Sequence, residues 1–239
     1  MKRISMWSGP RNVSTAIMYS FRQRPDTVVV DEPFYAHYLK QTNKQHPGRA
    51  SILAGMEIDE SKVKSKVIFA DYDKNILFLK NMAHHLIALD RSFLNDLDNI
   101  ILIRDPKEML PSLAKKIANP SLIDTAMLEQ NQILDYILAS GQSPIVLDAK
   151  ETLLNPEKVL RIVCQKLAIP FYKEMLDWPA GPKPEDGIWA KHWYHNVHKS
   201  TGFSKYKKKA ANFPEQLEEI YQEIKAIYER LYSYAIKAE

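Results

Sequence analysis

Short apolar runs alternate with helical patterns along most of the chain. Five runs have the length of β-strands, at residues 3–7, 27–30, 75–80, 99–104 and 144–148. The segments IILI and VVV are apolar without interruption, which is typical of strands buried on both faces. Because helical stretches separate the runs, the pattern predicts an α/β fold, a three-layer αβα arrangement around a mainly parallel sheet of about five strands.

Capping signals mark where several helices should begin. The signals are Asp105 and Pro106 with Glu108, Ser121 with Asp124, Asn155 with Pro156, and Asn212 with Glu215. From Ser121 the apolar positions keep helical spacing as far as Ile137, and Gly141 can end that helix. We therefore predict helices that start after residues 105, 121, 155 and 212.

The composition is that of an ordinary folded protein of 239 residues, with 45% hydrophobic and 26% charged residues. No apolar run approaches the ~18 residues of a membrane span. The single cysteine, Cys164, excludes an internal disulfide and a cysteine zinc site. We expect one cytoplasmic domain over residues 1–239 with no membrane contact. The net charge of +4 is mild and favours a small anionic ligand at least as much as nucleic acid.

The first candidate site is the polar turn SGPRNVSTA, which follows the first predicted strand. Gly9, Pro10 and Arg11 make the turn, and Ser14 and Thr15 open a helix. Free N–H groups at a helix N-terminus attract anions, and Arg11 adds a fixed positive charge. The usual triphosphate loop has a Gly-Lys pair where this chain has Val13 and Ser14, which disfavours a magnesium-ATP hydrolase. An ordinary βα turn with a serine cap is the alternative interpretation.

The second candidate site is the segment RDPKEMLPS, which begins at the end of the fourth predicted strand. Arg104 stands at the carboxyl end of that strand, where α/β folds bind ligands. Ser112 lies about two helical turns further on, on the same side as the helix entry. Together they could hold a second phosphate. Alternatively, Arg104 pairs with a nearby carboxylate and Ser112 is exposed to solvent.

These two segments, in this order, resemble the sulfotransferase family, which uses 3′-phosphoadenosine 5′-phosphosulfate (PAPS). SGPRNVSTA is similar to the family's 5′-phosphosulfate loop, and RDPKEMLPS has the spacing of its 3′-phosphate motif. SPIVLDAKETLLNPEKVLRIVCQKLAIPF resembles the family's final strand and helix, so the likeness covers about residues 3–175. The resemblance implies a P-loop nucleotide-kinase-like fold, PAPS as donor, 3′-phosphoadenosine 5′-phosphate (PAP) as product, and no metal.

The resemblance assigns cofactor binding to the two segments and to the stretch HKSTGFSKYKKK, which replaces a glycine-rich segment of the family. The assigned residues are Gly9, Pro10, Arg11, Asn12, Val13, Ser14, Thr15, Arg104, Ser112, Ser200, Thr201, Gly202 and Lys205. The family usually has Ser-Gly where this chain has Asn12 and Val13. Because a Cβ makes left-handed backbone costly, the loop geometry should differ there.

Sulfuryl transfer needs a cation at the bridging oxygen and a base for the acceptor proton. Arg11 is the first candidate cation, and Lys80, at the end of a strand, is the second. Asp31 and Glu32 follow another strand, and neighbours in extended chain point to opposite sides. We therefore expect only one of them in the site and choose Glu32 as the base. The competing bases are His37, His84 and His85.

The leading hypothesis is a PAPS-dependent sulfotransferase that acts on a hydroxyl or amine of a small acceptor. Two alternatives stay open, a kinase-like phosphoryl transferase and a non-catalytic nucleotide-binding protein of the same fold. A nucleic-acid surface built from Trp189, Trp193, Tyr194, Tyr206 and residues 207–209 fits least well, because no nucleic-acid motif is present. Acceptor specificity should come from residues 34–39, 40–66 and 178–193.

Overall fold

The computed structural model describes residues 1–208 and 213–239, and five parallel strands form one sheet in this part of the chain. The strands are β1 (Lys2–Ser8), β2 (Thr27–Asp31), β3 (Ile76–Met82), β4 (Asp98–Ile103) and β5 (Ile145–Asp148). Their order across the sheet is β2-β3-β1-β4-β5. All five predicted strands are confirmed, with ends that differ by one or two residues.

Helices connect the strands and cover the sheet. Those of the first half are α1 (Ser14–Arg22), α2 (Tyr35–Thr42), α3 (Arg49–Gly55) and α4 (Glu60–Val63). Those of the second half are α5 (Pro106–Ala114), α6 (Leu122–Thr125), α7 (Met127–Ala139), α8 (Ala149–Leu154), α9 (Pro156–Lys166), α10 (Ala190–Trp193) and α11 (Glu218–Ser233). Among the described residues, no helix combines the length and the apolar character that a bilayer span requires.

Each face of the sheet carries its own apolar core, as the three-layer prediction requires. On β1, Ile4 and Met6 point to one side and pack with α1 and α9. Trp7 points to the other side, where α5, α7 and α11 supply the packing. Side chains alternate between the faces along each strand, so uninterrupted apolar runs are needed to fill both cores.

Two of the predicted capping patterns form, and one does not. Ser121 and Asp124 make a reciprocal capping box at α6. Asn155 caps α9, with Oδ1 accepting from the N–H of Lys158 at 3.1 Å. Asp105 caps α5, but the Glu108 carboxylate turns away to Arg104, so no capping box forms there. The prediction for Glu108 was wrong because a neighbouring guanidinium offers it a charged partner.

One further helix prediction needs correction, and another concerns a residue outside the described part of the chain. The single helix expected after Ser121 is broken at Ala126, whose φ of 60° is left-handed, and it continues as α7. Asn212, the expected cap of the last helix, lies outside the described residues. A short 3₁₀ turn at Glu215–Leu217 precedes α11, which begins at Glu218.

Candidate functional site

A cavity of about 380 Å³ opens where the carboxyl ends of four strands meet. Residues 9–16 enter it from the end of β1, Glu32 from the end of β2, Lys80 and Met82 from β3, and Arg104 from β4. In α/β folds this edge of the sheet is the usual place for ligands. The two segments singled out in the sequence therefore face one cavity, although about 90 residues separate them.

The first turn of α1 leaves its backbone N–H groups uncapped at the cavity wall. Val13, at the N-cap position, offers no side-chain acceptor, and the first turn contains no acidic residue. By contrast, α5, α8 and α9 are each capped by the side chain of an Asp or Asn. The Asn12 amide donates to the Leu102 carbonyl at 3.1 Å and holds the loop against β4. The uncapped turn can thus receive an anion from the cavity.

The strained residue of this loop is Arg11 and not Val13. Val13 has a φ of −91°, which any residue adopts, whereas Arg11 has a φ of 54°. Val13 thus avoids the left-handed conformation that a Cβ makes costly, and in this loop Arg11 adopts that conformation. A non-glycine residue in this region is uncommon and is often found at functional sites.

The two arginines and Ser112 form one cluster beside the uncapped turn. Arg11 Nε donates to Ser112 Oγ at 3.1 Å, and Arg104 donates to the Arg11 carbonyl at 2.6 Å. Arg104 also pairs with Glu108 at 3.1 Å, while its buried Nε has no partner among the described residues. Burial and the nearby Arg104 lower the pKa of the Arg11 guanidinium. An anion placed between the two cations would relieve their repulsion.

Ser112 is therefore not a solvent-exposed helix residue, as the alternative interpretation had it, but a partner of Arg11 at the cavity wall. The other half of that alternative is correct, since Arg104 does pair with a carboxylate. Glu108 in turn accepts from the Tyr206 hydroxyl at 2.5 Å. Arg104 is thus held both by the Arg11 carbonyl and by Glu108.

Lys80 lies under the cavity in a fully buried polar cluster. Its Nζ donates to Asp31 Oδ1 at 2.9 Å, to Glu32 Oε1, and to the Tyr194 hydroxyl at 2.7 Å. The register of the sheet explains part of this arrangement, because Asp31 lies opposite Lys80 in the β2–β3 pair. Two carboxylates around one ammonium leave the cluster with one net negative charge when all three groups are ionised.

Of the two acidic residues, only Glu32 lines the cavity, although both carboxylates contact Lys80. β2 ends at Asp31, and Glu32 has a left-handed φ of 45°, which turns its side chain back toward Lys80. The alternation of an extended strand does not apply at that angle. Glu32 lines the cavity, and Asp31 lies behind Lys80.

The surroundings shift the pKa values of Glu32 and Lys80 upward. Burial raises the pKa of Glu32 to about 7, and the charge of Asp31 adds to that shift while Lys80 opposes it. For Lys80, burial acts to lower the pKa, but attraction to Asp31 and Glu32 outweighs it and raises the pKa. Lys80 is thus a lasting cation, and Glu32 can exchange a proton near neutral pH.

The three candidate histidines differ in their surroundings. His37 is fixed by the carbonyls of Ile58 and Ile87, at 3.3 and 3.0 Å, and lies outside the cavity lining. His84 and His85 line the cavity, but burial and neighbouring histidines lower the pKa of both, to about 3 for His84. A neutral imidazole with so low a pKa is a weak base, which favours Glu32 over either.

A group of contacting aromatic side chains forms part of the cavity lining. His85 stacks with Tyr35 and Tyr38 at ring distances of 4.9 and 4.7 Å, and Trp189 meets Tyr35 edge-on at 5.0 Å. Trp189, Trp193 and Tyr194, which could have formed a basic nucleic-acid surface with Tyr206, instead line this cavity. Lys209, from the same stretch, lies outside the described residues.

The C-terminal polar stretch reaches the cavity only in part. Ser200 and Gly202 line it, and the Ser200 hydroxyl accepts from the Trp178 indole at 3.1 Å. Thr201 and Lys205 are exposed and lie outside the cavity lining. The role assigned to these two residues stays a prediction.

Sequence reasoning missed several residues that the fold brings to the cavity. They include Asp124, Tyr194 and Asn196, whereas Tyr35, Tyr38, His46, Trp189 and Trp193 lie in the ranges expected to set acceptor specificity. Tyr194 is 114 residues from Lys80 in the sequence, and no local pattern could have paired them. A cluster of aromatic residues in a loop rich in proline and glycine was the one available signal.

The sequence profile of the sulfotransferase domain matches residues 1–224. This chain belongs to the sulfotransferase domain family. The membership agrees with the resemblance carried by the two candidate anion-binding segments, and both segments lie within the matched range. The α/β fold with one parallel sheet is the fold expected of this family.

Solved structures of sulfotransferases share the fold at low sequence identity. The sulfotransferase domain from the curacin biosynthetic pathway superposes with a TM-score of 0.55 and 13% identity, covering 94% of this chain and 98% of the other. A sulfotransferase from Alicyclobacillus acidocaldarius gives the same TM-score with 12% identity, covering 98% and 95%.

Among curated proteins, branched-chain-amino-acid aminotransferase-like protein 1 of Arabidopsis thaliana is 43% identical over 212 residues. The alignment covers 88% of this sulfotransferase domain but only 38% of the plant protein's length. The aminotransferase-like name belongs to that longer protein.

Proposed function

We propose that this protein transfers a sulfuryl group from PAPS to a hydroxyl or amine of a small acceptor. The observation that carries the proposal is one cavity with an anion-binding end and a proton-accepting end. The uncapped turn of α1 with Arg11 and Arg104 forms the first end, and Glu32 above Lys80 forms the second. Family membership supports the same reaction class.

The anion-binding end fits the two phosphate positions of PAPS. Residues 9–15, with Arg11, would hold the 5′-phosphosulfate, and Arg104 with Ser112 would hold the 3′-phosphate. The unpartnered Arg104 Nε and the N–H groups at the start of α1 are donors that still need acceptors. When bound, PAPS supplies a sulfuryl group whose bond to the phosphate oxygen breaks as a bond to the acceptor forms.

The protein's own residues then have separate roles. Arg11 offsets the charge that grows on the leaving phosphate oxygen. Glu32 receives the proton that the acceptor oxygen or nitrogen loses. Lys80 already donates to two carboxylates, so we assign it to holding Glu32 and not to the leaving oxygen. The acceptor would lie against the aromatic side chains of the cavity lining.

The experiment that tests this function is calorimetric titration of the purified protein with PAP, with ATP plus magnesium as the control ligand. We expect micromolar PAP binding and no response to ATP. An acceptor screen with labelled PAPS follows. ATP binding alone would favour the kinase-like alternative. PAP binding without turnover on a broad panel of alcohols, phenols and amines would favour the non-catalytic alternative.

A further inference from the structure

The direction of each hydrogen bond around Tyr194 follows from the chemistry of its partners. The Tyr194 oxygen lies 2.7 Å from Lys80 Nζ, 3.1 Å from Trp189 Nε1 and 2.7 Å from Asp31 Oδ2. An ammonium and an indole N–H can only donate. The one hydroxyl proton of Tyr194 therefore goes to Asp31, and the tyrosine oxygen accepts from Lys80 and Trp189.

This arrangement uses all three N–H groups of Lys80 and both carboxylate oxygens of Asp31. The three N–H groups of Lys80 are used by Asp31, Glu32 and Tyr194. Asp31 accepts at Oδ1 from Lys80 and at Oδ2 from Tyr194 and from the Gly187 N–H, the last at 3.3 Å.

Glu32 has a different environment, although it touches the same lysine. Its Oε1 accepts from Lys80, and no described residue donates to its Oε2. Glu32 lines the cavity, whereas Asp31 does not. The carboxylate that can meet a ligand is thus also the one with an unused oxygen.

We propose that Tyr194 is a positioning residue, which locks Lys80 and Asp31 into a fixed ion pair and so leaves Glu32 as the carboxylate that accepts the acceptor's proton. The inference rests on the proposed function. In the step itself, a lone pair of the acceptor oxygen or nitrogen would form the bond to sulfur while the bond from sulfur to the phosphate oxygen breaks and PAP leaves with that electron pair. The proton that the acceptor atom loses would go to Glu32 Oε2. Lys80 and Tyr194 keep their protons throughout.

Charged and titratable groups face Glu32 from each element that packs around it. Asp31 lies on β2, Lys80 on β3 and Tyr35 on α2, and Tyr194 comes from the loop after α10. The Asp31 charge raises the pKa of Glu32 and the Lys80 charge lowers it. Removal of the Asp31 charge should therefore move the pKa of Glu32 downward.

The loop that precedes α10 is also tied to the body of the protein, and this contact provides a matched control. The Tyr19 hydroxyl donates to Asp186 at 2.7 Å, and His198 contacts the same carboxylate at 2.9 Å. Tyr19→Phe removes a buried tyrosine–aspartate hydrogen bond to this loop without touching Lys80. It separates simple loop anchoring from the positioning of Lys80.

The first test compares Tyr194→Phe with Tyr19→Phe in steady-state turnover and PAP titration. For Tyr194→Phe we expect kcat to fall at least tenfold, because Lys80 loses an acceptor and Glu32 its fixed geometry, while PAP affinity stays within about twofold. Tyr19→Phe should keep kcat within about threefold. Equal losses in both variants would mean that Tyr194 only anchors the loop, and an unchanged kcat in Tyr194→Phe would overturn the proposal.

The second test does not depend on turnover. Glutamate side chains labelled with ¹³C are titrated by NMR in the wild type and in Asp31→Asn, with Glu32 assigned by the signal that Glu32→Gln lacks. We expect the Glu32 midpoint near pH 7 to move down by a unit or more in Asp31→Asn. An unmoved midpoint would overturn the proposal. If the midpoint moves but PAPS gives no product even in the wild type, the proposed function fails. The electrostatic coupling of Glu32 to the Asp31–Lys80–Tyr194 cluster would then still hold.

Discussion

The chemistry of Glu32 depends on one backbone angle. With a φ of 45°, the residue leaves the strand and turns its carboxylate to Lys80, into a site without bulk water. Burial raises the pKa of Glu32 to about 7, so the group is half ionised under neutral conditions. A base serves best when its pKa lies near the working pH.

Glu32→Gln should lower kcat by about 100-fold or more, since a general base contributes roughly 10²–10⁴-fold. PAP affinity should stay within about threefold, because the Glu32 carboxylate pairs with Lys80 and not with Arg11 or Arg104. In the wild type, kcat should rise with pH through about 7, as Glu32 becomes ionised. Turnover and PAP titration on the same sample check this, and a fully active variant would remove Glu32 as the base.

Arg104→Ala should weaken PAP binding by about 10- to 100-fold, which corresponds to the roughly 1.5–3 kcal/mol of a charged hydrogen bond. Arg11→Ala should lose turnover as well, because Arg11 would also act on the leaving oxygen. Arg161→Ala is the matched control, since that arginine is exposed, pairs with Glu157 on its own helix, packs over the Phe171 ring and lies outside the cavity lining. PAP affinity like that of the wild type in Arg104→Ala would refute the assignment of this end of the cavity.

At the scale of single elements, the junction of β5 and α8 carries a buried acid. Asp148 caps α8 by accepting from the N–H groups of Lys150 and Glu151, at 2.8 and 3.1 Å, and Tyr228 donates to it at 3.1 Å. Burial raises the pKa of Asp148 to about 6 in spite of these donors. The native state therefore holds this proton more tightly than the unfolded chain does.

The sign of the pH effect follows from that difference. Between about pH 4 and pH 6 the native state binds more protons at Asp148, so its contribution to stability falls as the pH rises. Asp148→Asn keeps the cap acceptor and removes the charge. Relative to the wild type, its free energy of unfolding should improve by about 2–3 kcal/mol between pH 4 and pH 7.5.

Urea unfolding at the two pH values measures this change. Asp148→Ala serves as the comparison, because it also removes the cap and should be about 1 kcal/mol less stable than Asp148→Asn at either pH. The same pH dependence in Asp148→Asn as in the wild type would show that Asp148 is not the titrating group.

At the scale of the whole molecule, the cavity is assembled from segments far apart in the chain. The loop after β1, the ends of β2, β3 and β4, and residues 189–204 all contribute to its lining. A ligand that binds there contacts only the folded protein and thus stabilises all of these segments together. Binding energy then appears as resistance to unfolding.

PAP at about 100 times its dissociation constant should therefore raise the Tm by about 5–10 °C. The gain is about 2.7 kcal/mol, and each kcal/mol shifts the Tm of a chain of this size by about 2–4 °C. ATP with magnesium at the same concentration should leave the Tm unchanged. Thermal unfolding followed by circular dichroism is the measurement, and an equal shift with ATP would contradict selective binding of PAP.

The order of strands and helices and the two candidate anion-binding segments could be predicted from the amino-acid sequence alone. Strands buried on both faces need uninterrupted apolar runs, and the order of strands and helices then limits the fold to an α/β sheet. The segments SGPRNVSTA and RDPKEMLPS were legible because each contains its strand end, its turn and its helix start within a few residues. The turn and the helix start that mark each segment arise from interactions between residues close in the sequence.

The pairing of charges in the site could not be predicted, because it depends on the tertiary structure. The contacts of Lys80 with Asp31 and Tyr194 span 49 and 114 residues, so they depend on sheet register and on the path of a long loop. The left-handed angles at Arg11 and Glu32 are set by the same packing, since intrinsic preference disfavours them for residues with a Cβ. Contacts between residues far apart in the chain leave no pattern in a single sequence. Nor do left-handed backbone angles at residues that intrinsically disfavour them.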